Sequence, residues 1–453
     1  MKTIFMVSES EVIKESSILS LFRERNFLWL WLAYVISNLG DRALAIALSV
    51  TVYDATKSKT ALGLSLIFGT LPVLLFGLAG GVFADRWNRR RTMITADLGR
   101  ALAVLLLLYI PTTHFKAHFD AHDQGIVYAA AFLVASFSCF FSPARQSLLP
   151  AIVPRERLLQ ANGLMLSANQ ATLFLGPALG GLLISLFHPR GVFVFDAITF
   201  IASAFFVRLI TNVVVMSGSK SVRGVAGLWR EAGEGLRYVS TSRVLRPSLI
   251  LLSLVVIGGA VYNTLELPFV KDVWGGDGKQ YGLLVALSGL AAVLTGLATV
   301  GPIRSAPPAR LIAPGFTVMG IAGLGFAAST NIYVGGVMVF VMTVANTFSN
   351  LGQMTLFLAS APNNIQGRVS ATVSLVNKLS ESAGIALTIL LALLFPAPAA
   401  MRPIFSGFGV TYILCGLLAW LLLGRLDSSA FNPPAAPPPP DPPRNVSFAR
   451  ADQ

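Results

Sequence analysis

The chain has 453 residues, 54% hydrophobic and 12% charged, with a formal net charge of +13. Soluble proteins carry about 25% charged residues, so this composition excludes an ordinary water-solvated surface and points to lipid as the main solvent. The 25 prolines and 40 glycines would break water-exposed helices, whereas membrane helices accept both.

Residues 1–26 contain Glu9, Glu11, Glu15 and Glu24, unlike the basic start of a cleaved signal peptide. They are expected to form a cytoplasmic N-terminal segment. Apolar runs near the roughly 20 residues that cross a hydrocarbon core then follow at 27–53, 61–84, 92–111, 125–148, 159–187, 191–211, 247–270, 281–302, 311–329, 332–359, 369–395 and 403–424. At lipid depth the backbone finds no water to bond, so each run must be helical. The expected fold class is an all-α integral membrane protein with about twelve transmembrane helices in two pseudo-symmetric six-helix bundles. The expected domains are an N-terminal bundle over 27–211, a cytoplasmic linker over 212–246 and a C-terminal bundle over 247–424. The stretch 425–453 reads as a proline-rich disordered tail, its 433–443 portion polyproline-like and solvated.

An even number of crossings puts both termini on one side. If that side is the cytoplasm, its segments hold 24 Lys/Arg against seven in the opposite loops (Lys57, Lys59, Lys116, Arg190, Lys271, Lys279 and Arg402). That is a positive-inside pattern, and it accounts for the basic balance without nucleic acid. Cys139 and Cys415 lie in separate apolar runs without CxxC spacing and read as buried free thiols.

The halves echo each other. Gly63 and Gly77-Leu78-Ala79 recur as Gly282 and Gly296-Leu297-Ala298 at an offset of 219, and Pro154 and Gly176 match Pro362 and Gly384 at an offset of 208. Repeated halves are a transporter layout whose substrate site lies at the midplane between repeats.

Three local patterns carry more. After the second span runs Gly81-Val82-Phe83-Ala84-Asp85-Arg86-Trp87-Asn88-Arg89-Arg90-Arg91. A glycine there permits close helix approach, and an aspartate at a helix end can pair with arginine or cap a neighbour, latching one conformer. Phe141-Ser142-Pro143-Ala144-Arg145-Gln146 precedes Ala161-Asn162-Gly163, and Gly176-Pro177-Ala178-Leu179-Gly180-Gly181 sits in the fifth span. Small residues allow close packing there, and proline bends the rod.

The first pattern resembles the loop signature of the major facilitator superfamily, with Asn88 in place of its middle glycine. The second, with Gly40-Asp41, Asp196-Ala197, Phe200 and Arg237-Tyr238-Val239, is similar to the branch holding the enterobactin exporter and the macrolide-efflux proteins. The third resembles the antiporter signature of exporting members: Gly163 stands at the first glycine and Thr172 replaces the second. The resemblance implies a bacterial inner-membrane, multi-pass exporter with cytoplasmic termini and no cofactor. It would act as a monomer in membrane lipid, on drugs or a siderophore. It also implies a latch at Gly81, Asp85, Arg86, Arg89, Arg90 and Arg145, and a fifth-span motif at Gly163, Gly176, Pro177, Gly180 and Gly181.

A charge at the bilayer centre costs about 2.5–3.5 kcal/mol on insertion scales, so it faces a cavity or a partner. Asp97 with Arg100, and Lys378 with Glu381, stand three apart on one helix face and read as self-neutralising pairs. Asp196 reads as structural. Asp41 and Arg42 point in different directions and cannot satisfy each other well. By the resemblance, Asp41, Glu266 and Glu381 lie on cavity-lining helices and are the proton-coupling candidates, with Arg42 and Lys378 as charge partners. A helix-packing hydrogen bond is the rival role for Asp41. Asn38, Asn263, Asn346, Asn350 and Gln353 are polar mid-span candidates for substrate contact.

His114, His118 and His122 repeat every four residues in the 112–124 loop. They could share a zinc-binding face if helical, although solvated histidines are the simpler expectation. No GxxxxGK[ST], HExxH or GxSxG sequence occurs, which argues against an enzyme or ATP-driven pump. Proton-coupled efflux of small amphipathic molecules is the expectation, with protons and a small-molecule substrate as partners. A lysophospholipid flippase and an uncoupled channel are the competing transport readings.

Overall fold

A computed structural model describes residues 18–110, 119–211, 225–298, 309–361 and 365–423, with the side chains of 78–86 outside that description. A 3₁₀ turn at Ile18–Arg23 leads into α1 (Arg25–Thr56), α2 (Lys59–Arg86), α3 (Arg89–Leu105) and α4 (Ala121–Ile152). The following helix, Leu158–Leu209, is broken by non-helical φ/ψ at His188 (φ 58°, ψ 174°), one residue before Pro189. The break divides it into α5 (158–187) and α6 (189–209). Then come α7 (Val225–Thr241), α8 (Leu245–Pro268), α9 (Gly278–Ala298), α10 (Ala309–Ala328), α11 (Ile332–Ala359), α12 (Gln366–Leu394) and α13 (Met401–Leu423).

Ten helical stretches among the described residues are long and apolar enough to cross a membrane. One of them, Gln160–Leu209, is the bent pair α5–α6, and the 21-residue α9 adds another crossing. The result is the twelve-helix, two-bundle architecture, with α1–α6 in one half and α8–α13 in the other. Large apolar side chains face outward: Leu102, Leu166, Leu283 and Trp420 are each about two-thirds exposed. Alanines, leucines, valines and a set of aromatic rings fill the interior, and glycines let helices approach closely.

Polar side chains start the helices at the expected breaks. Asn88 accepts from the Arg91 N–H at 3.0 Å, Asp120 from Asp123 N–H at 2.9 Å, and Asn331 from the N–H groups of Tyr333 and Val334. Asn88 is thus an N-cap in extended conformation (φ −65°, ψ 106°) and makes no left-handed turn. Its side chain satisfies one of the orphan donors of α3.

The 212–246 stretch contains α7, which packs on α12: Glu234 pairs with Arg368 at 2.8 Å, and Gly235 lies against the Arg368 backbone. The 1–17, 212–224 and 424–453 portions of the expected terminal segment, linker and tail fall outside the described residues.

The halves meet along α5–α9 and α2–α12, and the meeting is two-fold symmetric. Gly181 on α5 faces Gly282 on α9, while Gly63 on α2 faces Ile389 on α12. Those pairs interconvert under the offsets of 219 and 208. On the axis itself, the Tyr53 hydroxyl donates to Asp272, its own counterpart at 219 residues' separation. Beside it Lys271 pairs with Asp54 at 2.5 Å, and Lys59 Nζ donates to the Pro396 carbonyl at 2.9 Å. All these residues lie at the ends of the helices remote from the arginine-rich α2–α3 connection. One face is therefore fastened across the two halves, and the other carries the basic loops.

Candidate functional site: a cavity between the halves

Two cavities meet at the centre. The first, about 650 Å³, is lined by α1 (Asp41, Arg42, Leu44, Leu48), α2 (Ser65 to Gly77), α3 (Val104, Leu107) and α4 (Ala130 to Pro143). The second, about 430 Å³, is lined by α8 (Asn263, Glu266), α11 (Asn346, Asn350, Gln353), α12 (Glu381, Ile385) and Tyr412 of α13. Leu66 and Thr70 of α2 belong to both walls. The two cavities thus adjoin and form a bipartite site with a largely apolar N-terminal wall and a polar C-terminal one.

Asp41 faces this space with its side chain 30% exposed, and its carboxylate pairs with Arg100 Nη1 at 3.4 Å. Arg100 is fully enclosed. Its guanidinium lies 4.3 Å from the Phe141 ring centroid and 4.4 Å from that of Phe200, and it also pairs with Asp97. Ser203 donates to the other Asp97 oxygen at 2.7 Å. Cation–π contact and two carboxylates offset the desolvation of this buried cation. Asp196 is buried nearby on α6. It takes a hydrogen bond from Thr199 at 3.1 Å, while its Oδ2 has no partner. Gly40 leaves room for both Asp196 and Thr199, since a Cβ there would collide with them.

Asp97 and Arg100 pair as their spacing implied, but the pair is not self-contained, because Arg100 also reaches α1 and pairs with Asp41. Neighbouring residues on a helix diverge by about 100°, and the Arg42 side chain turns toward α5, where Gly176 makes space for it. Gly180 packs against the Ala43 backbone of α1 and Gly181 against Gly282 of α9, whereas Gly163 has open space around it. The fifth-span motif therefore seats α5 between α1 and α9, with Pro177 inside the helix.

On the other wall, Glu266 is 6% exposed and accepts from the Tyr262 hydroxyl at 3.3 Å. Lys378 pairs with Glu381 at 2.6 Å, as the i,i+3 spacing implied. Asn350 donates to Asn346 at 3.0 Å, and the buried Gln353 has no partner for its Oε1. Asn38 stands apart from both linings and donates to the Tyr34 carbonyl of its own helix.

Of the latch residues, Gly81, Asp85 and Arg86 lie on α2 where side chains are outside the described residues. Arg90 donates to the Val207 carbonyl at 3.2 Å and to that of Arg208, so it caps α6 within its own half. Arg89 opens α3, and Arg145 stacks 4.3 Å over the Tyr34 ring. His114 and His118 are outside the described residues. His122 is exposed in the first turn of α4, with Asp120 and Asp123 close by.

A profile of the Major Facilitator Superfamily matches residues 30–385. The chain belongs to that superfamily. Among major facilitator relatives, it is 26% identical over 425 residues to the enterobactin exporter EntS of Salmonella typhi, covering 90% of this chain and 94% of that one. It is 22% identical over 369 residues to macrolide efflux protein A of Streptococcus pyogenes, covering 81% of this chain and 89% of the relative. The fold superposes on a bacterial homologue of the iron transporter ferroportin in an inward-facing state. That superposition has a TM-score of 0.72 at 14% identity and covers 90% of this chain and all of that structure. The superfamily's transporters share the two-bundle layout seen here, and the bipartite cavity lies where the bundles meet.

Proposed function

We propose that the protein is a secondary active exporter of small amphipathic molecules, driven by protons and working by alternating access. The observation that carries this reading is one cavity between two repeated bundles, with carboxylates on both walls and one face fastened across the symmetry axis. The relatives are named for export or efflux of small molecules, which supports the outward direction. The positive-inside distribution supports a bacterial inner-membrane location with the basic face cytoplasmic, so the fastened face is external and the cavity loads from within. Lipid surrounds the bundle, and a monomer contains every part the cycle uses.

In this cycle a proton on Asp41 dissolves its ion pair with Arg100, which keeps its bond to Asp97. The α1–α3 junction loosens, and the bundles rock. Deprotonation on the cytoplasmic side restores the pair and resets the carrier. Glu266 and Glu381 supply the charge of the opposite wall. Inverted membrane vesicles given a fluorescent amphipathic dye in the medium test the reading. ATP-generated or imposed proton gradients should drive dye uptake that an uncoupler abolishes. Uptake indifferent to the gradient would replace the exporter with a channel or uniporter.

A further inference from the structure

The C-terminal wall is polar, but no lysine or arginine among the described residues lines it. Glu266 is almost fully enclosed, and among the described residues its partner is the Tyr262 hydroxyl, with no lysine or arginine in ion-pair range. Glu381, by contrast, already has Lys378. Gln353, 4% exposed and on the same wall, has an amide oxygen that no group among the described residues satisfies. A buried acceptor without a donor costs about 1–3 kcal/mol, more when charged. Gln353 is such an acceptor, and Glu266 is an enclosed carboxylate whose partner is a neutral hydroxyl; on one cavity wall the two call for a ligand that brings donors and positive charge. Tyr262 and Tyr412 also line this pocket.

The N-terminal wall has a different character. It offers about 650 Å³ lined mainly by aliphatic residues, and its Asp41 is held by Arg100. Arg42 lines the same wall beside Asp41. Leu66 and Thr70 line both spaces, so the two cavities adjoin.

We propose that Glu266 and Gln353 form a cation subsite that seats the protonated amine of an amphipathic substrate, whose apolar body lies in the N-terminal cavity. This specifies the substrate class of the exporter reading and rests on it. An anionic catecholate would bring a second negative charge to Glu266 and more acceptors to Gln353, and is disfavoured on both counts.

The test uses xanthene dyes that share one ring system. Purified full-length protein is titrated by fluorescence anisotropy with cationic rhodamine 6G, which carries N–H donors, and with anionic fluorescein. Rhodamine 6G should bind at least about tenfold more tightly. Glu266→Gln should erase that preference, and Gln353→Leu should weaken rhodamine 6G binding while leaving thermal stability near that of the parent. Tighter fluorescein binding, no binding of either dye, or a Glu266→Gln variant that keeps the preference would overturn the proposal. The dye comparison on the unmodified protein stands even if a variant fails to fold. Vesicle transport separates the two readings. Gradient-driven export of fluorescein alone would sink the cation subsite and keep the exporter, whereas selective rhodamine 6G binding without gradient-driven movement would do the reverse.

Discussion

At the scale of single residues, the N-terminal half concentrates its charge at one point. Asp41, Asp97 and Arg100 form a chain from the cavity wall into the bundle, and only Asp41 touches the cavity. Asp41→Asn should therefore lower gradient-driven efflux by about tenfold or more with membrane insertion unchanged, as measured in vesicles matched for protein content. Undiminished transport would remove Asp41 from proton coupling. Arg100→Leu belongs to a different class, because it leaves Asp97 enclosed without its cation. It should cost about 3–5 kcal/mol, visible as a large fall in the melting temperature of the detergent-solubilised protein. The sequence showed these charges but not their pairing. An i,i+3 spacing announces the contact between Asp97 and Arg100, whereas the bond from Arg100 to Asp41 spans 59 positions and depends on how α1 crosses α3. Four of the five polar cavity candidates line the site. Asn38 does not, because its side chain is satisfied within its own helix.

At the scale of elements, α5 shows how small residues set helix approach. A Cβ on Gly180 would lie 2.9 Å from the Ala43 Cα, whereas one on Gly163 meets nothing within 4 Å. Gly180→Ala should destabilise by about 1–3 kcal/mol through overpacking. Gly163→Ala should be neutral or stabilising by up to about 1 kcal/mol through helix propensity. Thermal unfolding of the two variants side by side checks the contrast. The twelve spans were legible because lipid imposes long apolar runs, whereas the caps at Asn88, Asp120 and Asn331 emerged only in the structure. α7 was not legible either. Its residues are too polar to read as a span, and its helix is held by contacts such as Glu234–Arg368 that link distant parts of the chain.

At the scale of the whole molecule, the contacts that fasten one face across the two halves bear on which state is populated. Lys271→Asp would set a new carboxylate beside Asp54 and Asp272 and should favour opening of that face. Adding Asp54→Lys should restore closure. Exposed pairs are worth about 0–1 kcal/mol, so the expected change in state ratio is about fivefold, readable as altered distances between spin labels placed on the two bundles. Unchanged distances in the single variant would show that the glycine-lined helix contacts alone hold this face shut. In the sequence, Lys271 and Asp54 look like solvated loop charges, and nothing local announces that they meet. The 219-residue repeat did contain that information, since a position on the axis must face its own copy. The contact between Tyr53 and Asp272 has a further implication for ancestry and design. Identical residues at such a spot would confront like with like, and a phenol meeting a carboxylate shows that the duplicated halves have diverged into lock and key. A chimera of two N-terminal halves would set Tyr53 against Tyr53 and leave Asp54 without its lysine, so this side of the molecule could not seal.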